Sequence, residues 1–412
     1  MRIGILTFHK SYNYGAFMQC YSLVKKIESD FPNVDVEVID YTTQSIIKNY
    51  DLSIYGYLIG DNFTKEFGPV VKMKKFISRF LELISGHSSI SKMKVRNNHF
   101  KKAWSFLPLS KHEIVSDDYH KLSDKIKDEY DAVIVGSDAV WNWNVRGFPN
   151  AYFLNNVIGA KKLSYAASSY GQDYTAVTEN QRTYLKEAWS KYSYIGVRDS
   201  PTENFLKSVN NNLQVSRNCD PTVLLDMDKI PVEMETIEKK LIKAGINPDR
   251  PIIGIMGSDW ITKEVKSLFG SDYQIVSVYK PNRYADAFLY DLTPFEWAKV
   301  FSLFTITFTH FFHGTLLSLK NLTPTIPIEP TSNYSSKFDT KIIDLLKRTD
   351  LLDCHFTKDY LDENGWEHLK TKALDIINSP IKDKIKAAMD KEALSYVSFQ
   401  KALMEIQINK YS

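Results

Sequence analysis

Short apolar segments alternate with amphipathic segments of helical period along most of the chain. The first apolar segment, residues 2–7, predicts a strand that leads through a polar loop into a helix at about residues 15–28. Further strands of this first series are predicted at residues 34–40, 132–135, 162–167 and 194–197. A second series begins near Pro251 with the segments PIIGIM, QIVSVY, FTITFT and TPTIPI. Alternation of strand and helix is typical of βαβ units, so we predict an α/β protein with parallel sheets.

The two series of strands predict two domains. A charged segment of helical period, residues 226–250, separates them and is interpreted as a connector and an entry helix. We predict Rossmann-like domains at residues 1–225 and 226–380 that face a cleft, followed by a long amphipathic C-terminal helix at 381–412 that braces the first domain. Ligands of such sheets bind at the carboxyl ends of the strands, where the site residues are therefore expected.

Residues 44–128 interrupt the alternation and predict a basic helical insertion in the first domain. Between Val71 and Ala103 there is one acidic residue, Glu82. The basic residues of this stretch are Lys72, Lys74, Lys75, Arg79, Lys92, Lys94, Arg96, Lys101 and Lys102. One interpretation is a surface for anionic lipid headgroups or a lipid-diphosphate-linked glycan, which implies peripheral association with a membrane. The other is a solvated insertion whose charges face water.

Composition limits the classes of function. The chain has 412 residues, 43% of them hydrophobic, and a formal net charge of +3. It can therefore build sizeable cores, and so small a charge argues against a protein that binds nucleic acid. Its cysteines, Cys20, Cys219 and Cys354, are too few and too scattered for a disulfide framework or a zinc site. We expect a cytoplasmic protein without a metal centre, and no segment reaches the ~18 apolar residues that span a bilayer.

The first strand is followed by residues suited to binding an anion. His9 comes shortly after the strand, and Asn13, Tyr14 and Gly15 lie at the start of the helix. A glycine at this position lets the backbone approach a ligand, and the N–H groups of a helix start attract an anion. The alternative is an ordinary capped turn between strand and helix.

Polar residues also end three later strands. Gly136, Ser137 and Asp138 follow one strand, Ser168 follows the next, and Arg198 follows a third. Asp138 is either a general base or the cap of the next helix. Arg198 is either a cation for a substrate or half of a surface ion pair.

An apolar strand of the second series stops at two histidines. The segment FSLFTITF ends shortly before His310, and His313, Gly314 and Thr315 open the helix that follows. A helix N-terminus favours the neutral imidazole and places backbone donors beside it. His313 is therefore a candidate for proton transfer next to a bound anion, and the alternative is a packed core histidine.

Six segments, taken in order, resemble the polysaccharide pyruvyl transferases. They are NYGAFMQCYSL from Asn13, YDAVIVGSDAVWN from Tyr130, SYAASSYG from Ser164, VRD from Val197, DPTVLLD from Asp220 and FHGTLLSL from Phe312. The resemblance runs from Met1 to about Leu351 and is absent from residues 44–128 and from the C-terminal tail. It implies a glycosyltransferase-B-like fold. It also implies transfer of an enolpyruvyl unit from phosphoenolpyruvate to a sugar of a cell-surface or exopolysaccharide precursor, which gives a pyruvate ketal and phosphate.

The resemblance also implies roles for individual residues. Family members use cationic residues for the anionic groups of the donor and the histidine of the FHG motif near the reacting centre, which correspond here to Arg198 and His313. Phe311 stands where many relatives have arginine or serine, and Lys341 stands where they have arginine. Lysine offers an anion a point charge, whereas arginine binds it bidentately.

For ketal formation we assign acid/base catalysis to His313, with Asp138 as a candidate base or ligand of the acceptor hydroxyl. Arg198 is the third catalytic candidate and supplies positive charge. The residues expected to bind the substrates are Asn13, Tyr14, Gly15, Gly136, Ser137, Ser168, Gly314, Thr315, Lys337, Lys341, His9 and His310. We expect the donor in the second domain and the acceptor, a sugar or lipid-linked oligosaccharide, near the 44–128 insertion. Phosphoenolpyruvate is a substrate in this scheme, so no cofactor is expected, and the protein would work in the cytoplasm at the inner face of the membrane.

Two other functions stay open. A glycosyltransferase with a nucleotide-sugar donor would use the same two-domain architecture and bind the nucleotide in the C-terminal half. A non-catalytic scaffold that binds a glycan or an anion would have kept the fold after losing arginine at position 311. Phosphoenolpyruvate should stabilise the protein against unfolding if it is a pyruvyl transferase, which distinguishes that function from these two.

Overall fold

The chain divides into two units, each built on its own sheet. The computed structural model describes residues 1–49, 89–170, 172, 174–330 and 339–411. Unit 1 comprises Met1–Arg198, Thr202–Asn218 and Ser398–Ser412, and unit 2 comprises Asp199–Pro201 and Cys219–Val397. The boundary between the larger segments falls after Asn218, whereas the sequence prediction set it after residue 225.

Unit 1 contains a parallel sheet of six strands. The strands of this unit are β1 (Arg2–Leu6), β2 (Asp35–Val38), β3 (Tyr41–Thr42), β4 (Ile114–Val115), β5 (Ala132–Val135), β6 (Lys161–Ala167), β7 (Tyr192–Val197) and β8 (Val215–Arg217). The sheet has the order β2-β1-β5-β6-β7-β8, and β3 pairs with β4 apart from it. Strand β5 reads AVIV and is buried along its whole length, as expected for a parallel sheet covered on both faces.

Helices connect these strands. Those described are Tyr14–Asp30, Gln44–Asn49, Ser89–Trp104, His120–Lys125, Trp143–Arg146, Glu179–Ser190 and Ser200–Val209. Helix Ser89–Trp104 carries five of the basic residues of the predicted insertion. The other four lie outside the described residues.

Unit 2 repeats the architecture. Its strands are β9 (Ile252–Met256), β10 (Gln274–Ser277), β11 (Ala287–Phe288), β12 (Ile306–Thr309), β13 (Thr325–Glu329) and β14 (Phe356–Thr357), and all the pairings between them are parallel. The helices are Met234–Lys243, Asp259–Phe269, Pro294–Lys299, Phe312–Lys320, Lys341–Arg348, Lys358–Asn364, Glu367–Ile377 and Ile381–Ala393. Its order β11-β10-β9-β12-β13-β14 completes two Rossmann-like sheets, which confirms the predicted fold class.

Each sheet has a point where the strand order reverses. In unit 1 the chain runs from β1 to β2 on one side and then continues with β5 on the other. In unit 2 it runs from β9 through β10 to β11 and then continues with β12. Crevices for ligands form at the carboxyl ends of the strands that flank such a reversal. These are the ends of β1 and β5, and of β9 and β12.

The C-terminal tail differs from the single helix predicted for residues 381–412. Helix Ile381–Ala393 is followed by a 3₁₀ turn at Leu394–Tyr396 and a second helix, Val397–Tyr411. The first of these helices belongs to unit 2, whereas residues from Ser398 onward belong to unit 1. There the ring of Phe399 packs on Tyr165 with 4.7 Å between centroids. In the described part of the chain, no helix is long and apolar enough to cross a bilayer.

Candidate functional site

The loop after β1 uses its polar side chains within the protein. His9 is fully buried, with Nε2 at 3.0 Å from Oδ1 of Asp40 and Nδ1 at 3.3 Å from the carbonyl oxygen of Thr7. Lys10 also donates to Asp40 and contacts Glu113. Both ring nitrogens of His9 thus have protein partners, which makes this residue a support for the loop.

The start of helix Tyr14–Asp30 is closed by Asn13. The Oδ1 atom of Asn13 accepts hydrogen bonds from the backbone N–H groups of Gly15, at 2.9 Å, and Ala16, at 3.3 Å. Tyr14 is buried, and its ring lies 4.8 Å from that of Phe100. Two of the N–H groups expected to meet an anion are therefore already capped by a side chain.

The end of β5 approaches the neighbouring strand closely. Gly136 has a φ of +114°, and a Cβ atom there would lie 2.3 Å from the carbonyl oxygen of Tyr165, so only glycine fits. Asp138 also has a positive φ, of 75°, and its Oδ1 accepts from the backbone N–H of Ala139 at 2.7 Å. The Ser137 hydroxyl between them is buried and has no hydrogen-bond partner among the described residues.

Four residues meet at these strand ends and form what we call the strand-end cluster: Ser137, Asp138, Ser168 and Arg198. The backbone N–H of Ser168 donates to the carbonyl oxygen of Asp138 at 2.9 Å. The Nη2 atom of Arg198 lies 3.8 Å from Oδ1 of Asp138, and the Arg198 side chain is only 2% exposed. The cluster therefore combines a buried guanidinium, a carboxylate and a buried hydroxyl, groups that can bind an anion and a sugar hydroxyl.

In unit 2, His313 opens helix Phe312–Lys320 and faces a carboxylate. Its Nε2 atom lies 3.9 Å from Oδ2 of Asp220, whose side chain is 1% exposed. The other oxygen of Asp220 accepts from the backbone N–H of Thr222 at 3.0 Å. The His313 side chain retains 16% exposure, and the 3.9 Å separation brings its imidazole close to the carboxylate without a hydrogen bond between these two atoms.

Asp220 is the neighbour of His313 that sequence reasoning missed. Its position before Pro221 predicts a turn with a structural acceptor, and the structure confirms that turn. The sequence signal that could have drawn attention to Asp220 is the presence of the DPT segment among the six that resemble the family. Nothing in its local sequence points to His313, because the two residues meet only through the tertiary fold.

The residues after β12 hold the histidine helix in place. Gly314 packs so tightly that a Cβ atom would lie 2.4 Å from Oγ1 of Thr309 and 2.9 Å from the sulfur of Met256. Thr309 accepts from the backbone N–H of Phe311 at 3.0 Å and donates to the carbonyl oxygen of Met256 at 2.9 Å. The hydroxyl of Thr315 donates to the carbonyl oxygen of Phe311 at 3.3 Å and so stabilises the first turn.

His310 lies at the crevice between β9 and β12 as a neutral imidazole. Burial, and to a smaller extent the ammonium group of Lys280, lower its pKa to about 4, against a smaller opposing effect of Glu329. The ring lies nearly parallel to Trp260, with 6.1 Å between centroids. Lys280 donates to Oγ of Ser258 at 3.1 Å. A neutral His310 can accept a hydrogen bond near pH 7 but carries no charge for an anion.

The predicted lysines occupy different positions in the described structure. Lys341 begins helix Lys341–Arg348, which Thr340 caps. Thr340 also donates to the buried Glu329 at 2.7 Å. Lys337 lies outside the described residues. Within the described ranges, no group of three or more His, Cys, Asp or Glu side chains has the arrangement of a metal site.

The two Rossmann-like sheets define an α/β protein of the glycosyltransferase-B-like fold class. Residues 13–332 match the family model of the polysaccharide pyruvyl transferases, so the chain belongs to that family and is a transferase. A crystal structure of UDP-N-acetylglucosamine 2-epimerase has a TM-score of 0.51 at 11% identity, covering 99% of this chain and 95% of that one. A putative UDP-N-acetylglucosamine 2-epimerase from Listeria monocytogenes has a TM-score of 0.50 at 10% identity, covering 96% and 91%. At such identity the likeness concerns the fold alone, and no curated protein sequence matches the chain significantly.

Proposed function

We propose that this protein transfers the pyruvyl group of phosphoenolpyruvate to two hydroxyl groups of a sugar, forming a pyruvate ketal and releasing phosphate. The observation that supports this best is the pairing of His313 with the buried Asp220 at 3.9 Å. Both residues come from segments by which the chain resembles its family. The acceptor we propose is a sugar, free or lipid-linked, of a polysaccharide precursor in the cytoplasm.

The proposed reaction needs two proton transfers. Two hydroxyl oxygens form bonds to C2 of phosphoenolpyruvate, and the bond from C2 to the phosphate oxygen breaks. One hydroxyl proton ends on the methylene carbon, which becomes a methyl group, and the other leaves with phosphate. The reaction therefore requires a base for the hydroxyl groups and an acid for the methylene carbon.

We assign these transfers to His313. An imidazole near neutral pH can accept the proton of a hydroxyl and then deliver it to carbon. Asp220 would hold the ring in one orientation and stabilise its protonated form, as the carboxylate does in other carboxylate–histidine pairs. In this role Asp220 is a positioning residue.

Arg198 is our candidate for binding an anionic group. Its buried guanidinium offers N–H donors in a fixed geometry that matches a carboxylate or phosphate bidentately. Asp138 positions it, and the hydroxyl groups of Ser137 and Ser168 are further donors in the same cluster. Lys341, in unit 2, is a further candidate for binding an anionic group.

Thermal unfolding of the full chain tests the proposal directly. Phosphoenolpyruvate at 100 times its Kd would stabilise the native state by about 2.7 kcal/mol. For units of this size that free energy raises Tm by roughly 5 °C. We expect His313→Ala to reduce the shift, and His368→Ala, which removes an exposed histidine of the same unit, to retain it.

The comparison ligands decide between functions. Phosphate alone should give a smaller shift than phosphoenolpyruvate, because it lacks the carboxylate. A shift with nucleotide sugars and none with phosphoenolpyruvate would replace this proposal with a glycosyltransferase. An equal shift with phosphate and phosphoenolpyruvate would indicate an anion site without selectivity for the donor and would also contradict it.

A further inference from the structure

Unit 1 contains a cavity of about 480 Å³ that none of the roles above uses. Its size falls within the roughly 300–1,000 Å³ of small-molecule sites. One wall is helix Ser89–Trp104, and the opposite wall includes Lys10 from the loop after β1 and Thr42 of β3. Lys10 follows β1, so the cavity lies at the carboxyl-end side of the sheet, where ligands of such folds bind.

Three buried polar atoms in the lining have no hydrogen-bond partner among the described residues: Oγ1 of Thr42, Oδ1 of Asn97 and Nε1 of Trp104. Thr42 and Asn97 are each more than nine-tenths buried. Buried polar atoms are nearly always paired, because an unpaired one destabilises the fold. One hydroxyl, one acceptor and one N–H donor in the same lining match the hydroxyl groups of a saccharide, which both donate and accept.

The helix wall also carries two lysines without an ion pair. Lys94 and Lys101 lie seven positions apart on the same helix, on the face that Asn97 and Trp104 share. Neither lysine has an acidic partner among the described residues, whereas Lys10 across the cavity pairs with both Asp40 and Glu113. The positive charge available to a ligand is therefore concentrated on the helix wall.

Aromatic surface completes the lining. The rings of Tyr12 and Trp104 pack against each other with 5.1 Å between centroids, and both contribute to the cavity. An aromatic face covers the apolar C–H side of a sugar ring while polar groups bind its hydroxyl groups. Sugar hydroxyl groups and one anionic group thus match the unpaired polar atoms, the lysines of the helix and the aromatic rings of the lining.

We propose that this cavity binds the acceptor of the reaction as a sugar phosphate, with the sugar against Thr42, Asn97 and Trp104 and the phosphate between Lys94 and Lys101. This inference rests on the proposed function only in calling the ligand an acceptor. The phosphate belongs either to a free sugar phosphate or to a lipid-linked one.

Titration of the full chain with a panel of hexose 1-phosphates and N-acetylhexosamine 1-phosphates tests this assignment, with the parent sugars and inorganic phosphate as separate arms. Tryptophan fluorescence and calorimetry are the readouts, because Trp104 lies in the lining. We expect at least one sugar phosphate to bind more tightly than both its parent sugar and phosphate. Lys94→Ala and Lys101→Ala should each weaken that binding about tenfold, as expected for a lost hydrogen bond to a charged group.

Lys102→Ala is the matched control, because Lys102 is an exposed lysine of the same helix that does not line the cavity. It should leave the affinity unchanged. Binding to phosphatidylglycerol vesicles tests whether the helix binds the phosphate of a lipid. Equal weakening of vesicle binding by all three lysine variants, without sugar phosphate binding, would make the helix a membrane-facing surface and overturn the assignment. Binding of no sugar phosphate, or of phosphate as tightly as any of them, would overturn it too.

The proposed pyruvyl donor and the proposed acceptor cavity can be tested independently of each other. The Tm shift with phosphoenolpyruvate should persist in Lys94→Ala and Lys101→Ala and be reduced in His313→Ala. Sugar phosphate binding without any response to phosphoenolpyruvate would support the cavity and contradict the pyruvyl donor. The reverse result would retain the donor and remove the acceptor site.

Discussion

The Oδ2 atom of Asp220 lies 3.9 Å from Nε2 of His313, while the other oxygen of the same carboxylate is bound by the backbone N–H of Thr222. One oxygen therefore fixes the carboxylate to its own turn and the second faces the imidazole. The DPT and FHG segments, remote in the sequence, meet in unit 2 through this carboxylate. The histidine therefore has a buried carboxylate as its neighbour.

Asp220→Asn separates the two roles of this side chain. The amide oxygen can still accept from Thr222, so the turn and the free energy of unfolding should change little. The negative charge beside His313 is lost, so we expect pyruvyl transfer to slow by roughly 10²-fold or more, the usual scale for disturbed acid/base catalysis. The pH–rate profile should change shape, which a purely structural role would not cause.

Asp226→Asn is the control for this variant. Asp226 also caps a 3₁₀ turn, with its Oδ1 accepting from the backbone N–H of Asp228 at 3.1 Å, but it faces no histidine among the described residues. Its substitution should leave the rate and the profile unchanged. Equal rates for both variants and the unmodified protein would mean that Asp220 serves the turn alone.

Gly314→Ala should destabilise unit 2 by about 1–3 kcal/mol, because the new methyl group would overlap Thr309 and Met256 in a packed core. Urea unfolding measures this loss. Gly257→Ala is the matched change, since its Cβ would approach the flexible end of Ile261 at 3.2 Å and otherwise make ordinary contacts at 3.6 Å or more. Similar free energies of unfolding for the two variants would contradict the tight packing described for Gly314.

Local patterns predicted the framework well and the partners of its side chains poorly. Strand β5 was predictable because AVIV is buried on both faces, and the helix at His313 because an apolar strand ends just before it. The burial of His9 against Asp40 and the approach of Arg198 to Asp138 join residues that follow different strands, so no local pattern contains them. The break in the C-terminal tail likewise depends on tertiary packing.

Asp138→Asn tests the strand-end cluster. Asparagine tolerates the positive φ of this residue as well as aspartate does, and its oxygen can still accept from Ala139. The carboxylate beside the buried Arg198 is lost, so we expect a loss of about 1–3 kcal/mol in the free energy of unfolding and weaker binding of phosphoenolpyruvate.

Asp128→Asn provides the comparison for that loss. Asp128 also has a positive φ, of 59°, and has no ion pair among the described residues. Its substitution should change the free energy of unfolding by less than about 0.5 kcal/mol, the usual range for surface changes. If both asparagine variants unfold at the same urea concentration, the ion pair with Arg198 contributes nothing to stability.

His310 should make stability depend on pH below neutrality. Its pKa is lowered to about 4 in the native state by burial and by Lys280, whereas the unfolded chain has an ordinary histidine pKa near 6.5. Between these values the unfolded state binds more protons, so native stability decreases as the pH falls from 6.5 towards 4. The full effect is at most about 3 kcal/mol.

His310→Phe keeps an aromatic ring beside Trp260 and removes the titrating group, so its free energy of unfolding should decrease less between pH 7 and pH 4.5 than that of the unmodified protein. His368→Phe alters an exposed histidine and should keep the original slope. Parallel curves for His310→Phe and the unmodified protein would show that His310 is as easily protonated in the native state as in the unfolded chain.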